Sequence, residues 1–279
     1  MLPEITIGSL SIPLYGPLFM IGFVISVCSV AYLASGRGIS VKSIIGAGVF
    51  SLVGIVIGAK FFYFLTMLPG IIRDFESYSK LLESDKLTAF DYAFGGMVFY
   101  GGLIGFCIGV YIYCRKSGID FWALSDIFAP FLPFGHAFGR IGCFCAGCCY
   151  GVEYHGIFSV TFPYNPSEPE LSAVPRLPVQ LIEAGLNFIC FGVLLYLLLK
   201  LRKQKKGFAK GRLLGIYLLY YIIIRFILEF FRGDEIRGSI GPLSTSQVIS
   251  ILLIPVAVIL IKGRAGKQEK SLDERNAEK

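Results

Sequence analysis

The stretch IIGAGVFSLVGIVIGAKFFYFLTML, Ile44–Leu68, contains a single charged residue, Lys60. An α-helix needs about 20 predominantly apolar residues to cross a hydrocarbon core of about 30 Å. This stretch therefore predicts a membrane-spanning helix, and it is one of seven such runs in the sequence. The other six lie at Leu14–Ala34, Gly95–Cys114, Phe121–Ile141, Val179–Leu201, Leu213–Phe231 and Ser246–Ile261.

The composition of the whole chain agrees with a membrane protein. Of 279 residues, 55% are hydrophobic and 16% are charged, whereas a soluble domain carries about 25% charged residues. We predict an all-α membrane bundle of about seven transmembrane helices formed by residues 1–262. Pro130 and Pro133 interrupt the fourth run, so a broken or re-entrant segment is an alternative there. The charged stretch at 263–279 is predicted to be a disordered tail.

The distribution of basic residues predicts the orientation of the bundle. Lys and Arg residues outside the spans divide 17 to 7 between the two sides, and the richer side holds the C-terminus. Cytoplasmic loops are enriched in Lys and Arg, so we predict an outward N-terminus and a cytoplasmic C-terminus. No basic region precedes the first run, which is also long for a signal peptide, so we expect that run to be retained. The net charge of +7 is assigned to the cytoplasmic rim, and nucleic-acid binding is disfavoured because no aromatic residues interleave the basic ones.

A charged stripe runs along the sixth apolar run. Tyr217, Tyr221, Arg225 and Glu229 are spaced by four residues, so they share one face of a helix. A charge at the bilayer centre costs about 2.5–3.5 kcal/mol on insertion scales, so such a face is expected to point into the bundle. The stripe is either a structural Arg–Glu pair between helices or the wall of a polar cavity that opens outward.

Three further charges fall within apolar runs. Lys60 lies too deep in the second run to reach the interface easily, and we predict an inward role for it. Asp126 and Glu183 are additional inward candidates, although each could instead lie near a helix end, where a charge is tolerated.

The segment from His136 to Gly151, HAFGRIGCFCAGCCYG, is the densest cluster of reactive residue types. An arginine beside exposed backbone amides, such as Arg140 among these glycines, can bind a phosphate. The cysteines admit three interpretations: disulfides that shape the loop, a metal site completed by a histidine (His136 or His155), or a reactive thiol centre. The four cysteines concerned are Cys143, Cys145, Cys148 and Cys149.

Several motifs resemble, in order along the chain, those of the prolipoprotein diacylglyceryl transferase family. The signature loop is matched by Gly139-Arg140-Ile-Gly142 and the glycine-rich third span by Gly95–Gly105. Further matches occur at Leu14-Tyr15-Gly16, Gly58-Ala59-Lys60, Asp126–Pro130, Arg176–Glu183, Tyr221 with Arg225–Arg232, and Ser246–Ser250.

The resemblance implies an enzyme of the bacterial inner membrane with an outward-facing active site. Such an enzyme moves the diacylglyceryl group of phosphatidylglycerol to the lipobox cysteine of a prolipoprotein, recognised through its signal peptide, and releases glycerol phosphate. No metal or other cofactor is expected. By resemblance, Arg225, Tyr221 and Tyr100 are catalytic candidates. The residues implied in binding phosphatidylglycerol are Arg140, Arg232, Lys60 and Glu229.

Four positions depart from the family pattern. The family usually has histidine at Tyr100, asparagine at Cys143 and Ala146, and glutamate at Cys148. The lipid half of the site is therefore better preserved than the half that would handle the acceptor thiol. Two alternatives stay open: a paralogue that binds phospholipid but uses another acceptor or cysteine chemistry, and a non-catalytic lipid-binding membrane protein.

Overall fold

The computed structural model of the protein describes residues 4–7, 10–35, 39–163, 172–203, 211–233, 239–240 and 243–262. Helices make up most of these residues, which confirms the predicted all-α class. The strands are confined to two short antiparallel hairpins, Glu4–Ile7 with Leu10–Pro13 (β1, β2) and Ser239–Ile240 with Leu243–Ser244 (β3, β4). The predicted tail at 263–279 lies outside the described residues, as does the basic segment 204–210.

Three helices in the described part of the chain are long and apolar enough to cross a membrane. They are α1 (Tyr15–Ser35), α2 (Val41–Arg73) and the stretch Val179–Leu201. A fourth apolar stretch, Ser246–Lys262, is shorter. At most a third of the residues in the three long spans are buried inside the protein, so most of their apolar side chains face outward. That arrangement is expected where the surrounding medium is lipid.

The smaller of two compact units, Ala31–Phe121, contains α2 and three further helices. These are α3 (Phe75–Ser84), α4 (Lys86–Phe94) and α5 (Phe99–Ser117). Helix α2 begins after Ser40, whose hydroxyl accepts a hydrogen bond from the Ser43 amide at 3.1 Å. This is the usual way in which a serine satisfies a free amide at a helix start.

Glycines hold α2 and α5 close together. A methyl group at Gly58 would meet the carbonyl oxygen of Gly101, and one at Gly54 would meet that of Gly105. Small residues spaced by four let two membrane helices approach until their backbones touch. The glycine-rich motif of the third apolar run therefore has a packing role within this unit.

The larger unit consists of Met1–Val30 and Trp122–Lys279. It contains most of α1 and five further helices: α6 (Phe121–Phe128), α7 (Phe131–Ala146), α8 (Val179–Lys203), α9 (Arg212–Glu229) and α10 (Thr245–Lys262). Aromatic rings join α7 to α8, with centroids 5.0 Å apart for Phe134 and Phe191. Helices α9 and α10 are in direct contact, since a methyl group at Gly215 would lie 2.9 Å from the Leu260 Cβ atom.

The fourth apolar run is divided into two helices, α6 and α7, which corresponds to the broken-segment alternative. The division falls at Ala129 and Pro130. Asp126, near the end of α6, accepts hydrogen bonds from the amides of Gly211, Leu213 and Leu214 at 2.8, 3.0 and 3.3 Å. The first amides of a helix have no partner within it, and a carboxylate is favoured there. Asp126 therefore anchors the start of α9.

We expect Asp126→Ala to destabilise the protein by about 2 kcal/mol, the upper range for loss of a helix-capping side chain. Asp126→Asn keeps one acceptor oxygen and is expected to lose less. Thermal unfolding of the purified protein in detergent measures both variants. Equal stability of the wild type and Asp126→Ala would show that the three hydrogen bonds do not support α9.

Candidate active site

Three helices of the larger unit bring buried charged side chains together. Arg140 on α7, Glu183 on α8 and Arg225 on α9 are only 8%, 2% and 6% exposed. The Nη2 atom of Arg140 donates a hydrogen bond to Oε2 of Glu183, while Nε2 of His136 lies 3.4 Å from the other carboxylate oxygen. Buried charges are tolerated when they are paired in this way. Glu183 is thus the counter-ion of the signature arginine.

The stripe predicted on the sixth run lines the same cluster. Tyr221 is buried, and its ring centroid lies 5.5 Å from that of His136. Arg225 is paired with Glu229, with Nη2 and Oε2 at 2.8 Å, and the same nitrogen donates to the Ser246 hydroxyl on α10 at 2.9 Å. The stripe is therefore both an Arg–Glu pair and part of a larger polar cluster.

The two arginines share an electrostatic environment. The Glu183 carboxylate interacts electrostatically with both Arg140 and Arg225. Among the described residues, each arginine uses its Nη2 atom in the contacts above, and Nε of Arg140 is buried without a hydrogen-bond partner there. Arginine presents its N–H donors in a planar fork suited to phosphate, and each of these buried guanidinium groups has donors beyond those used in the contacts above.

Helix α7 ends in a turn that determines where the cysteines lie. Gly147 adopts a left-handed conformation with φ of 72°, and its amide donates to the Phe144 carbonyl at 3.2 Å. The Cys148 amide donates to the Cys143 carbonyl at 3.1 Å. These two bonds form a Schellman motif, which folds the chain back over the last helical turn. Cys148 is consequently placed beside Cys143.

Three of the four signature cysteines converge after this turn. The Sγ atoms of Cys143, Cys148 and Cys149 all lie within 4.8 Å of one another. Within the described residues, neither Cys145 nor a histidine belongs to this group. His136 contacts Glu183, and His155 lies at 2.8 Å from the exposed Glu153. The predicted four-cysteine cluster is therefore narrowed to three, because Cys145 projects from another side of α7.

The three thiols differ in their acidity. The pKa of the Cys149 thiol is held well below its usual range, because the Cys143 and Cys148 thiols donate hydrogen bonds to its sulfur and because Arg140 and Arg232 are near. The pKa of the Cys148 thiol is raised, chiefly by its hydrogen bonds with Cys143 and Cys149. Since the thiolate is the reactive form of cysteine, Cys149 is the sulfur of the three that ionises most readily.

The segment after the cysteines is tied to the end of α9. Gly151 pairs with Arg232 in an antiparallel bridge, and the Gly233 amide donates to the Tyr150 carbonyl at 3.1 Å. The guanidinium of Arg176 stacks over the Tyr150 ring at 4.6 Å. The backbone of Arg232, the third arginine predicted to bind phosphate, therefore lies next to the cysteine segment.

Lys60 and Tyr100 belong to the smaller unit. The Nζ atom of Lys60 donates to the carbonyl oxygens of Phe94 and Gly95 at 2.6 and 3.2 Å, so it caps the end of α4. Tyr100 lies in the first turn of α5, and its side chain is outside the part of the chain that the structure describes. The roles of these two residues toward lipid and thiol stay predictions.

The sequence alone does not determine which groups His136 and Glu183 contact. It predicts His136 as one possible metal ligand and Glu183 as one of several inward charges, yet the two meet at the centre of the cluster. The spacing of His136 and Arg140, four residues on one helix, is the available signal that both face the same way. Nothing in the local sequence identifies Glu183 as their partner.

Comparison with known proteins shows sequence similarity over nearly the whole chain. The protein-family model described as prolipoprotein diacylglyceryl transferase matches residues 4–262. The phosphatidylglycerol–prolipoprotein diacylglyceryl transferase 2 of Clostridium perfringens is 31% identical over 275 residues, which are 96% of this chain and 100% of that protein. The corresponding transferases of Clostridium tetani and Solidesulfovibrio magneticus are each 32% identical, over 88% and 96% of this chain and 90% and 96% of their own lengths. With its apolar spanning helices and a family match along nearly its entire length, this membrane protein belongs to the prolipoprotein diacylglyceryl transferase family.

Proposed function

We propose that this protein transfers the diacylglyceryl group of phosphatidylglycerol to the lipobox cysteine of prolipoproteins and releases glycerol phosphate. The observation that carries the proposal is the pair of buried arginines, Arg140 and Arg225, which both interact electrostatically with the Glu183 carboxylate. Two cations held in buried positions are suited to a phosphate that gains negative charge as it leaves. The names of the relatives supply the substrates.

The other residues of the cluster have supporting roles in this proposal. Tyr221 donates its phenol hydrogen to a phosphate or ester oxygen, and Glu229 orients Arg225 through their 2.8 Å contact. Arg232 adds a third cation at the end of α9, where its backbone pairs with Gly151. All of these groups lie in the larger unit, which supports their acting together on phosphatidylglycerol.

The membrane arrangement is part of the proposal. We infer seven spans within a single transmembrane domain of residues 1–262, an outward N-terminus, a cytoplasmic C-terminus and a location in the bacterial inner membrane. The 17 to 7 division of basic residues supports this orientation, and the three long apolar helices support the membrane setting. In this orientation the end of α7, the segment with Cys148 and Cys149 that follows it, and the end of α9 lie on the outer side, where exported prolipoproteins present their signal peptides.

A second candidate function is favoured by the cysteine cluster. Three converging thiols next to preserved arginines also fit a paralogue that binds phosphatidylglycerol but uses another acceptor or thiol chemistry. If lipobox transfer is retained when Cys143 and Cys148 are both changed to serine, these two thiols are not required for the reaction, and the second candidate fails. A non-catalytic lipid-binding role predicts no transfer at all.

The test is a transfer assay with purified protein, labelled phosphatidylglycerol and a lipobox peptide, run with and without reductant. We expect thioether-linked lipid on the peptide. A matched peptide with serine in place of the lipobox cysteine should stay unlabelled. Intact lipid binding without any transfer, under either condition, would contradict the proposal and leave the second candidate as the better one.

A further inference from the structure

The three sulfur atoms have the spacing of a metal-binding group. Zinc binds thiolate sulfur at about 2.3 Å in a tetrahedral arrangement, which places neighbouring sulfurs about 3.8 Å apart. The Sγ atoms of Cys143, Cys148 and Cys149 all lie within 4.8 Å of one another, so small side-chain movements bring them to that spacing. All three come from one short stretch of chain at the end of α7.

The backbone holds this group in place at an energetic cost. Cys149 has φ of 61°, and it is the only residue other than glycine with positive φ among those the structure describes. A left-handed conformation costs an L-residue about 1–2 kcal/mol, so the surrounding contacts must impose it. One of them comes from α8, where Nε2 of Gln180 donates to the Cys148 carbonyl at 2.8 Å. Strain of this kind is common at ligand-binding sites.

The local charge is suited to a thiolate-bound cation. Three thiolates exceed the charge of Zn²⁺ by one, and a bound acceptor thiolate raises the excess to two, so nearby positive groups must offset it. Arg140 lies one helical turn before Cys143 and interacts electrostatically with Cys143 and Cys149. Arg232, whose backbone pairs with Gly151, interacts with Cys149 in the same way.

We propose that Cys143, Cys148 and Cys149 hold a Zn²⁺ ion whose fourth position receives the acceptor thiol. Thiolates prefer Zn²⁺ and Cu⁺, and Zn²⁺ is the ion that keeps a fourth position in sites with three protein ligands. This inference rests on the proposed transferase function. It supplies thiol deprotonation, a step to which the proposed function assigns no base, because a thiol that coordinates a metal loses its proton outright.

The reaction then needs no change of oxidation state. The acceptor thiol releases its proton to solvent when it binds the metal. Its sulfur forms a bond to the glyceryl carbon of the lipid, and the bond between that carbon and the phosphate oxygen breaks. Glycerol phosphate leaves with the electron pair, near the guanidinium groups of Arg140 and Arg225.

The first experiment measures metal binding without reference to activity. Reduced, metal-free, full-length protein in detergent is incubated with Zn²⁺ and desalted, and bound zinc is determined by mass spectrometry. We expect one zinc per chain in the wild type and in Cys145→Ser, the matched control in the last turn of α7. Cys148→Ser and Cys149→Ser should each lose the zinc, and Co²⁺ should give thiolate charge-transfer absorption only in the first two proteins.

The second experiment measures transfer after chelation and after zinc is restored. We expect chelation to slow transfer at least about tenfold, a conservative value for loss of thiol deprotonation, and zinc to restore it in the wild type and Cys145→Ser.

No zinc in the reduced wild type, or a disulfide among the three cysteines of natively isolated protein, would overturn the proposal. Chelation-insensitive transfer by zinc-binding protein would overturn the thiol-activating role. If the protein binds one zinc per chain but shows no transfer with or without the metal, the proposed transferase function fails while the zinc site stands. Failure of the zinc proposal and failure of the transferase proposal are therefore distinguishable.

Discussion

Glu183→Leu is expected to destabilise the protein by about 3–5 kcal/mol, and adding Arg140→Met should recover most of that loss. The single change leaves the Arg140 guanidinium buried without its carboxylate, which is the costly situation for a buried ion pair. The double change replaces both charges with apolar groups, and such replacements are often neutral or stabilising. Thermal unfolding in detergent measures both effects.

Activity should follow a different pattern from stability in these variants. We expect the Arg140→Met, Glu183→Leu protein to be folded but slower in transfer by about 10²–10³-fold, the usual cost of removing one charge-stabilising donor. The exposed pair Lys80–Glu76, with side chains 72% and 81% exposed, is the control; its replacement should change stability by less than about 1 kcal/mol and leave transfer intact. Wild-type transfer by the stable double variant would show that Arg140 does not act on the phosphate.

Arg225→Ala is expected to lower kcat/KM for phosphatidylglycerol by about 10²–10³-fold. Arg225 is held between Glu229 on its own helix and Ser246 on α10, so its guanidinium is fixed before the substrate binds. Arg225→Lys keeps the charge but loses the planar fork, and we expect an intermediate rate. Lipid-concentration series of the transfer assay separate a loss of binding, seen in KM, from a loss of transition-state stabilisation, seen in kcat.

The matched control for Arg225 is Arg115→Ala in the last turn of α5, an exposed arginine in the other unit. Its removal should leave both kinetic constants unchanged. If Arg225→Lys is as active as the wild type while Arg225→Ala is inactive, a point charge is sufficient and the bidentate contact is not required. Equal activity of Arg225→Ala and the wild type would remove Arg225 from the proposed phosphate site.

The amino-acid sequence by itself determined the class of protein, and it determined which residues share a face within a single helix. Long apolar runs predict membrane helices because the thickness of the hydrocarbon core sets the required length. A spacing of four residues on a helix fixes a common face, so periodicity alone groups Tyr221, Arg225 and Glu229. The order of motifs along the chain indicated the family, and the match over residues 4–262 confirmed it.

Only the tertiary structure decided which groups meet across elements. Glu183 is paired with Arg140 through the packing of α7 against α8, and no local pattern encodes a contact between residues 43 positions apart. Lys60 caps the end of α4 by donating to the Phe94 carbonyl oxygen. Its position deep in an apolar run did not predict that partner. Cys145 is separated from the other three cysteines because α7 continues to Ala146 and the left-handed turn at Gly147 then reverses the chain. Periodicity fixes the direction of a side chain relative to its own helix, whereas its partner depends on where other helices pack, and that is set by the whole fold.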